Sequence, residues 1–311
     1  MKILIATPAY RDQVLRGYHE TIAQMVSIFA ERFPFVTFEQ RLIDVPLLTT
    51  ARNILASIVL ADESYSHLLF VDADMAFSPL LVARMLRLSK PVVGVFYPEK
   101  RIDWERLGKA MTPERSTLQA RLVAAGYVCQ GEEISEIYDD GRKVTRVVDG
   151  FVRAHLCGAG VLLIERRVLE TLRETNPELW IAEPGEQIRR WGLEQGGLLQ
   201  CFDTRVNEAG FMVGEDVAFC LRWTETGGEI WTAVDEAVVH SGTTRCPGHA
   251  LVALASDPKL TVRMVDRRGK GRDDAWYRRV LAAPSEASGS AKPPSAGRGP
   301  AKKGGRYGRR R

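Results

Sequence analysis

His67-Leu68-Leu69-Phe70-Val71-Asp72-Ala73-Asp74 is an apolar run that ends in two carboxylates one residue apart. A short, continuous apolar stretch of this kind reads as a buried strand. Acids at its carboxyl end stand where open α/β sheets place their ligands. Two carboxylates on a turn leaving a sheet can share a hard divalent cation. A cation held there can neutralise a diphosphate as it becomes a leaving group. An isolated Asp-x-Asp turn is more often a solvated acidic turn, so the surrounding chain has to decide.

On both sides of this stretch the sequence alternates between β-type runs and helical periods, the pattern of an α/β fold. Ile3–Ala6, Phe35–Ile43, His67–Val71 and Pro91–Phe96 read as strands. Asp12–Phe33 reads as a helix with Leu15, Ile22, Met25, Val26 and Phe29 along one side, and Thr49–Leu60 as another. Ser78-Pro79 signals a third helix start, with serine at the cap and proline in the first turn. Farther on, Thr112–Ala125 is expected helical, and Ile134–Val148 reads as a hairpin around Asp140-Gly141. Leu156–Ile164 is a strand interrupted by Gly158-Ala159-Gly160, followed by a helix over Glu165–Glu174. Pro184–Gly197 reads as a mobile loop, Asp216–Thr226 as a helix and Ala237–His240 as a strand. Gly248–Ala283 carries no clear pattern beyond a helical signal at Trp276–Leu281.

The 311 residues are 45% hydrophobic and 26% charged, an ordinary globular composition. No stretch approaches the ~18 consecutive apolar residues of a membrane span. The beginning Met1-Lys2-Ile3-Leu4-Ile5-Ala6 predicts a first strand rather than a secretory leader. Five scattered cysteines without a CxxC pair argue against a disulfide framework and a zinc knuckle, and predict a reducing cytoplasm, that of a host if the chain is viral. The net charge of +4 is unevenly spread: eight Lys and Arg but only Glu286 among the acids fall in 284–311, which leaves 1–283 at −3. The division is therefore a folded domain over 1–283 and a disordered cationic tail over 284–311. A segment so poor in apolar residues cannot offset its ordering entropy. The tail either aids solubility alone or serves as a nonspecific phosphate-binding arm on nucleic acid.

Three further features bear on the Asp-x-Asp turn. Ala51-Arg52-Asn53 precedes Asp72 by some twenty residues near a helix start, suited to placing a cation and an amide beside phosphates. Gly214-Glu215-Asp216-Val217-Ala218-Phe219-Cys220-Leu221-Arg222-Trp223 puts two acids at a helix N-terminus, where carboxylates also serve as plain capping charges. His240 ends an apolar strand in Val238-Val239-His240-Ser241-Gly242. In this order the motifs resemble GT-A glycosyltransferases, most of all the inverting family-2-like enzymes related to bacterial polysaccharide synthases. Gly214–Trp231 is similar to the Glu-Asp segment of small glycosyltransferase-like proteins of phages and bacteria. The resemblance spans about 1–245 and implies a Rossmann-like mixed sheet flanked by helices, with a nucleotide sugar, UDP-linked by default, across its carboxyl edge.

By that resemblance Thr7, Pro8 and Tyr10 face the nucleoside, with Tyr10 stacking on the base, and Arg52 approaches the diphosphate or donor sugar. Asp72 and Asp74 match the metal-binding motif, Asp74 as the direct ligand of Mn²⁺ or Mg²⁺ and His240 as a third ligand. Asp216 matches the general base, and Glu215 is either a second catalytic carboxylate or an acceptor contact. The membrane helices and Gln-x-x-Arg-Trp motif of processive synthases are missing, which implies single-sugar transfer. The tail directs the acceptor reading to hydroxymethylated pyrimidines in phage-type DNA. The alternatives are a cell-surface glycan or lipid-linked acceptor, and a non-catalytic nucleic-acid-binding protein on the same scaffold. Trp223 and Trp231 read better as core aromatics than as acceptor platforms. Gly158 and Gly160 form no dinucleotide fingerprint, and Gly94–Lys100, with Tyr97 and Pro98, either lines the donor pocket or simply ends a strand.

Overall fold

The computed structural model describes residues 1–131, 135–137, 143–207, 209–242, 245–257, 260–266 and 271. Its first part follows the expected alternation: β1 (Lys2–Pro8), α1 (Arg16–Arg32), β2 (Thr37–Ile43), α2 (Leu48–Ala61), β3 (Tyr65–Val71), the short β4 (Met75–Ala76), α3 (Leu81–Leu88) and β5 (Val92–Val95). β1 pairs in parallel with β2 and β3, as strands joined through helical crossovers do. The first helix begins later than the periodicity predicts. Arg11 and Asp12 take left-handed φ angles of 58° and 53°, which an α-helix does not accommodate. Ser78 is likewise outside α3, its hydroxyl accepting from the Leu80 N–H at 3.3 Å.

The middle of the chain departs further. α4 (Trp104–Ala110) is an unexpected helix, capped by Asp103 accepting from the Arg106 N–H. The helix expected at Thr112 is α5 (Thr117–Ala124), started by a capping box of Ser116 and Gln119. After β6 (Cys129–Gly131), β7 (Ser135–Ile137) pairs antiparallel with β8 (Lys143–Val148), as a hairpin requires. Its turn at Asp140-Gly141 lies outside the described residues. The expected Leu156–Ile164 strand is two strands, β9 (Phe151–Cys157) and β10 (Val161–Glu165). α6 (Arg166–Thr175), β11 (Trp180–Ile181), α7 (Glu186–Arg190) and β12 (Leu198–Leu199) follow, so the stretch expected to be loop contains a helix. The remaining elements are β13 (Arg205–Val206), β14 (Met212–Val213), α8 (Glu215–Glu225), β15 (Ile230–Ala233), β16 (Val238–Ser241), β17 (Arg245–Gly248), α9 (Ala250–Ala255) and β18 (Leu260–Val265). Trp276–Leu281 and the tail 284–311 lie outside the described residues.

Eleven strands form one mixed sheet in the order β18-β8-β9-β15-β5-β10-β3-β1-β2, with β6 on β9 and β7 on β8. β10 is antiparallel to both β3 and β5, and β15 runs parallel to β5. β1, β2, β3, β5 and β15 therefore share one carboxyl edge. Alternate side chains feed the two faces. Leu4, Ala6, Leu68 and Phe70 pack with α2, α6 and α8. Ile3, Ile5, Leu69 and Val71 pack with α1 and α3. α9 covers one face of the outer strands through Ala250 and Leu251 against Val147, Val152 and Met264. The chain is thus a Rossmann-like α/β protein with helices on both faces of a mixed sheet, the fold class expected from the sequence. Among the described residues no helix is long and apolar enough to cross a membrane.

Candidate functional site

Arg52 joins the two acidic motifs. It sits in the first turns of α2, is only 2% exposed, and directs three donors at fixed partners. Nη2 donates to Asp72 Oδ1 at 3.0 Å, Nε to Glu215 Oε1 at 3.3 Å and Nη1 to the Ala159 carbonyl at 3.3 Å. Its guanidinium also lies 5.1 Å from the centre of the Phe70 ring. Burial alone would lower the pKa of Arg52, but Asp72 and Glu215 outweigh it and raise it. The cation is therefore permanent and committed to the protein. Arg52 does not face a ligand as the resemblance implied; it sets Asp72 at the end of β3 against Glu215 at the start of α8. Glu215, expected as a catalytic carboxylate or an acceptor contact, is turned to Arg52.

Asp216 follows Glu215 on the first turn of α8 and is half-buried. Burial pushes its carboxyl above the usual range, the Glu215 charge adds to this, and the Val217 N–H and Arg52 oppose it without cancelling it. Its Oδ1 accepts from the Val217 N–H at 2.8 Å, leaving Oδ2 for another proton.

A second cluster forms around Asp74. Its Oδ2 pairs with Lys100, while the buried Oδ1 has no hydrogen-bond partner and faces Nε2 of His240 at 3.5 Å. His240 Nδ1 lies 2.8 Å from the Pro98 carbonyl. A carbonyl only accepts, so this partner assigns the proton to Nδ1 and turns Nε2 toward Asp74. Burial pushes the Asp74 carboxyl up, but His240 and Lys100 hold it below the usual range. The gap between Asp74 Oδ1 and His240 Nε2 takes either an imidazolium proton or a divalent cation, since carboxylate and imidazole ligands stand about 2.0–2.2 Å from such an ion. Asp74 and His240 thus fit a cation. Asp72 does not join them in this arrangement, because it is turned to Arg52.

Tyr97 links the clusters. Its ring meets His240 edge-on at 5.2 Å, and its hydroxyl accepts from the Gly160 N–H at 3.2 Å. A Cβ at Gly158 would lie 2.0 Å from the Tyr97 oxygen, and one at Gly160 would lie 2.8 Å from its ring. The glycines therefore make room for this ring. Burial, reinforced by Asp72 and Asp216, holds the Tyr97 phenol well above its usual pKa, so it stays protonated. Gly160 also accepts from the Asp72 N–H at 2.9 Å, which brings the glycine turn behind the Asp-x-Asp turn.

The other expected residues divide. Tyr10 is 58% exposed at the carboxyl edge, and its loop is tied to the Asp-x-Asp turn by the Leu15 N–H donating to the Ala73 carbonyl at 2.8 Å. Pro8 ends β1 beside it, half-buried. Thr7 is fully buried, its hydroxyl 2.6 Å from that of Tyr18, so it has no surface to offer a nucleoside. Asn53 points away from the acids: it accepts from the Phe202 N–H at 2.8 Å and donates to Asp203 at 2.6 Å. Arg222 holds the same loop by donating to the Cys201 and Asp203 carbonyls, and Phe219 stacks on Phe202 with centroids 4.5 Å apart. Trp223 is buried, with its indole donating to the Glu229 carbonyl at 3.0 Å, in keeping with a core aromatic. Reading motifs alone left out Lys100 as the partner of Asp74; its only sequence signal was its place shortly after β5.

No family model matches the chain, and no curated protein matches its sequence. Among solved structures, the chain is similar to A197 from STIV at 15% identity over 78% of this chain and 86% of that one, with a TM-score of 0.39. It is also similar to a Bacillus anthracis protein assigned as a glucose-1-phosphate thymidylyltransferase, in complex with a sucrose. That likeness has 11% identity over 90% of this chain and 93% of the other, with a TM-score of 0.30.

Proposed function

We propose that this chain is a nucleotide-sugar-dependent glycosyltransferase that moves one sugar to an acceptor hydroxyl with inversion. The observation that carries the reading is Arg52, which draws Asp72, 20 residues away, and Glu215, 163 residues away, to one place at the carboxyl edge. Such an edge is where α/β sheets bind nucleotides. Asp216, beside that junction and raised in pKa, is the group we assign as base. It takes the proton from the acceptor hydroxyl as that oxygen bonds to the anomeric carbon. The bond from that carbon to the phosphate oxygen breaks, and the nucleoside diphosphate leaves. Asp74 and His240 would hold Mn²⁺ or Mg²⁺, which supplies charge neutralisation to the departing diphosphate. Lys100 adds a cation on the same carboxylate, and exposed Tyr10 is the candidate for stacking on the donor base.

For the acceptor we propose hydroxymethylated pyrimidines in DNA, presented from the groove or by base flipping, with the basic 284–311 segment holding the polymer nonspecifically. The test is mass-spectrometric: UDP-glucose and other sugar nucleotides with Mn²⁺, against hydroxymethylcytosine or hydroxymethyluracil DNA, unmodified DNA, or no acceptor. A hexose-sized gain on hydroxymethylated DNA alone is the expected result. Donor turnover without DNA transfer would move the acceptor to glycans or lipid-linked sugars, and no turnover of any donor would overturn the reading.

A further inference from the structure

Away from the carboxyl edge, four neighbouring strands carry an unusual row. Arg263 of β18 pairs in register with Arg146 of β8. β8 and β9 pair at Val148 and Phe151, and Arg146 and Arg153, each two residues along its strand from that pair, lie on the same face and line one groove. Arg153 in turn is directly opposite Trp231 of β15. Since side chains at paired positions share a face, three arginines and a tryptophan stand abreast across about 15 Å of sheet. Arg146 and Arg263 are exposed. The other face of these strands is the one that Val147, Val152 and Met264 give to α9; on the arginine face Arg146 and Arg263 are open to solvent, while Arg153 and Trp231 are half-buried where that face meets the core under α1 and α3.

Arg146, Arg153 and Trp231 also line a cavity of about 460 Å³ with Lys90 and Glu229. Among the described residues lining it, Glu229 is the one carboxylate, and it is already bonded to Lys90 at 2.7 Å and to the Trp231 indole at 3.1 Å. This concentration of cations stands on a body whose residues 1–283 sum to −3.

We propose that this face binds a single strand of nucleic acid, the arginines on successive phosphates and Trp231 beside a base. Guanidinium forks match phosphate oxygens, and a flat sheet face with an aromatic is a known way to hold an unpaired strand. The row is too long for one phosphate. A membrane is disfavoured because the most exposed large apolar side chains, among them Trp104, Phe211 and Met212, do not line this groove. The inference stands apart from the transfer reading, since it concerns binding to unmodified nucleic acid without a donor.

The test is fluorescence anisotropy of the full chain with a labelled oligothymidine, titrated between 50 and 200 mM NaCl, comparing wild type with the Arg146→Ala/Arg153→Ala double variant. We expect at least ~10-fold weaker binding and a salt slope reduced by about 1.4, two phosphate contacts on a single strand. The melting temperature of the double variant, measured alongside, shows that it remains folded. Equal affinity and slope in the double variant would overturn the proposal, as would wild type that does not bind the oligonucleotide. Loss of phosphatidylserine-vesicle binding with oligonucleotide binding intact would equally overturn it, in favour of a lipid surface.

Discussion

A carboxylate on the first turn of a helix is ordinarily stabilised in its charged form by the helix dipole. Asp216 departs from that expectation because burial and the neighbouring Glu215 charge outweigh the helix. If its ionised form is the working base, the acid limb of the pH–rate profile lies above the usual carboxylate range. Asp216→Asn should lower transfer by at least ~100-fold while leaving nucleotide-sugar affinity, measured by calorimetry, nearly unchanged; normal turnover would remove Asp216 as the base. Arg52 gives a different prediction. Replacing it by Met leaves Asp72 and Glu215, 26% and 18% exposed, without their shared cation. Breaking a fully buried pair costs about 3–5 kcal/mol, and partial exposure brings the expectation to roughly 2–3 kcal/mol. Denaturant unfolding measures this, and adding Glu215→Gln should recover part of the loss. The motif spelled out these residues but not their direction. Ala-Arg-Asn gave no sign that Arg52 would be buried beneath the acids and Asn53 turned to the Phe202 loop, because burial depends on the strands that close over them.

Periodicity found most of the strands and helices that carry the site, since β1, β3 and β5 are plain apolar runs and α8 begins at a glycine followed by two acids. It failed where a packing contact breaks a pattern. Leu156–Ile164 reads as one strand, yet the need to seat Tyr97 against Gly158 and Gly160 divides it, and β10 enters the sheet antiparallel between β3 and β5. The connection between β15 and β16 shows a similar hidden constraint. Glu236 there is buried, accepting from the Ser78 N–H at 2.9 Å and pairing with Arg84 at 3.2 Å. Burial raises its pKa from 4.5 to about 7. His249, at the start of α9, is lowered by burial from 6.5 to about 4. The native state keeps the Glu236 proton where the unfolded chain has lost it, so that contribution is full below pH 4.5 and disappears by about pH 7. His249 works in reverse: its contribution is present above pH 6.5 and lost as pH falls to about 4. Each is worth about 3 kcal/mol, so they nearly cancel in the wild type. Glu236→Gln should leave the histidine alone, making stability rise by about 3 kcal/mol from pH 4 to 6.5 in urea unfolding. A flat profile in the variant would contradict the His249 assignment.

Charge is arranged in the chain as a whole more than at any one element. Residues 1–283 sum to −3, whereas 284–311 carry eight cations and one acid. The cations of the folded part are not spread evenly either, since Arg263, Arg146 and Arg153 stand abreast on one face. An acidic body repels a polyanion at long range, so the proposed nucleic-acid binding would have to come from these concentrated regions, through counterion release at each phosphate they neutralise. The two regions then make separable contributions. Deleting 284–311 removes up to eight contacts, and the salt slope for a single-stranded oligonucleotide should fall by as much as about 5–6. The residual slope should still respond to Arg146→Ala. The deletion should leave the melting temperature unaltered, because a segment with so little apolar surface contributes no core. A fall of several degrees would show that the segment packs on the folded domain. A truncated chain whose binding no longer responds to Arg146→Ala would show that the tail and the arginine face act as a single site.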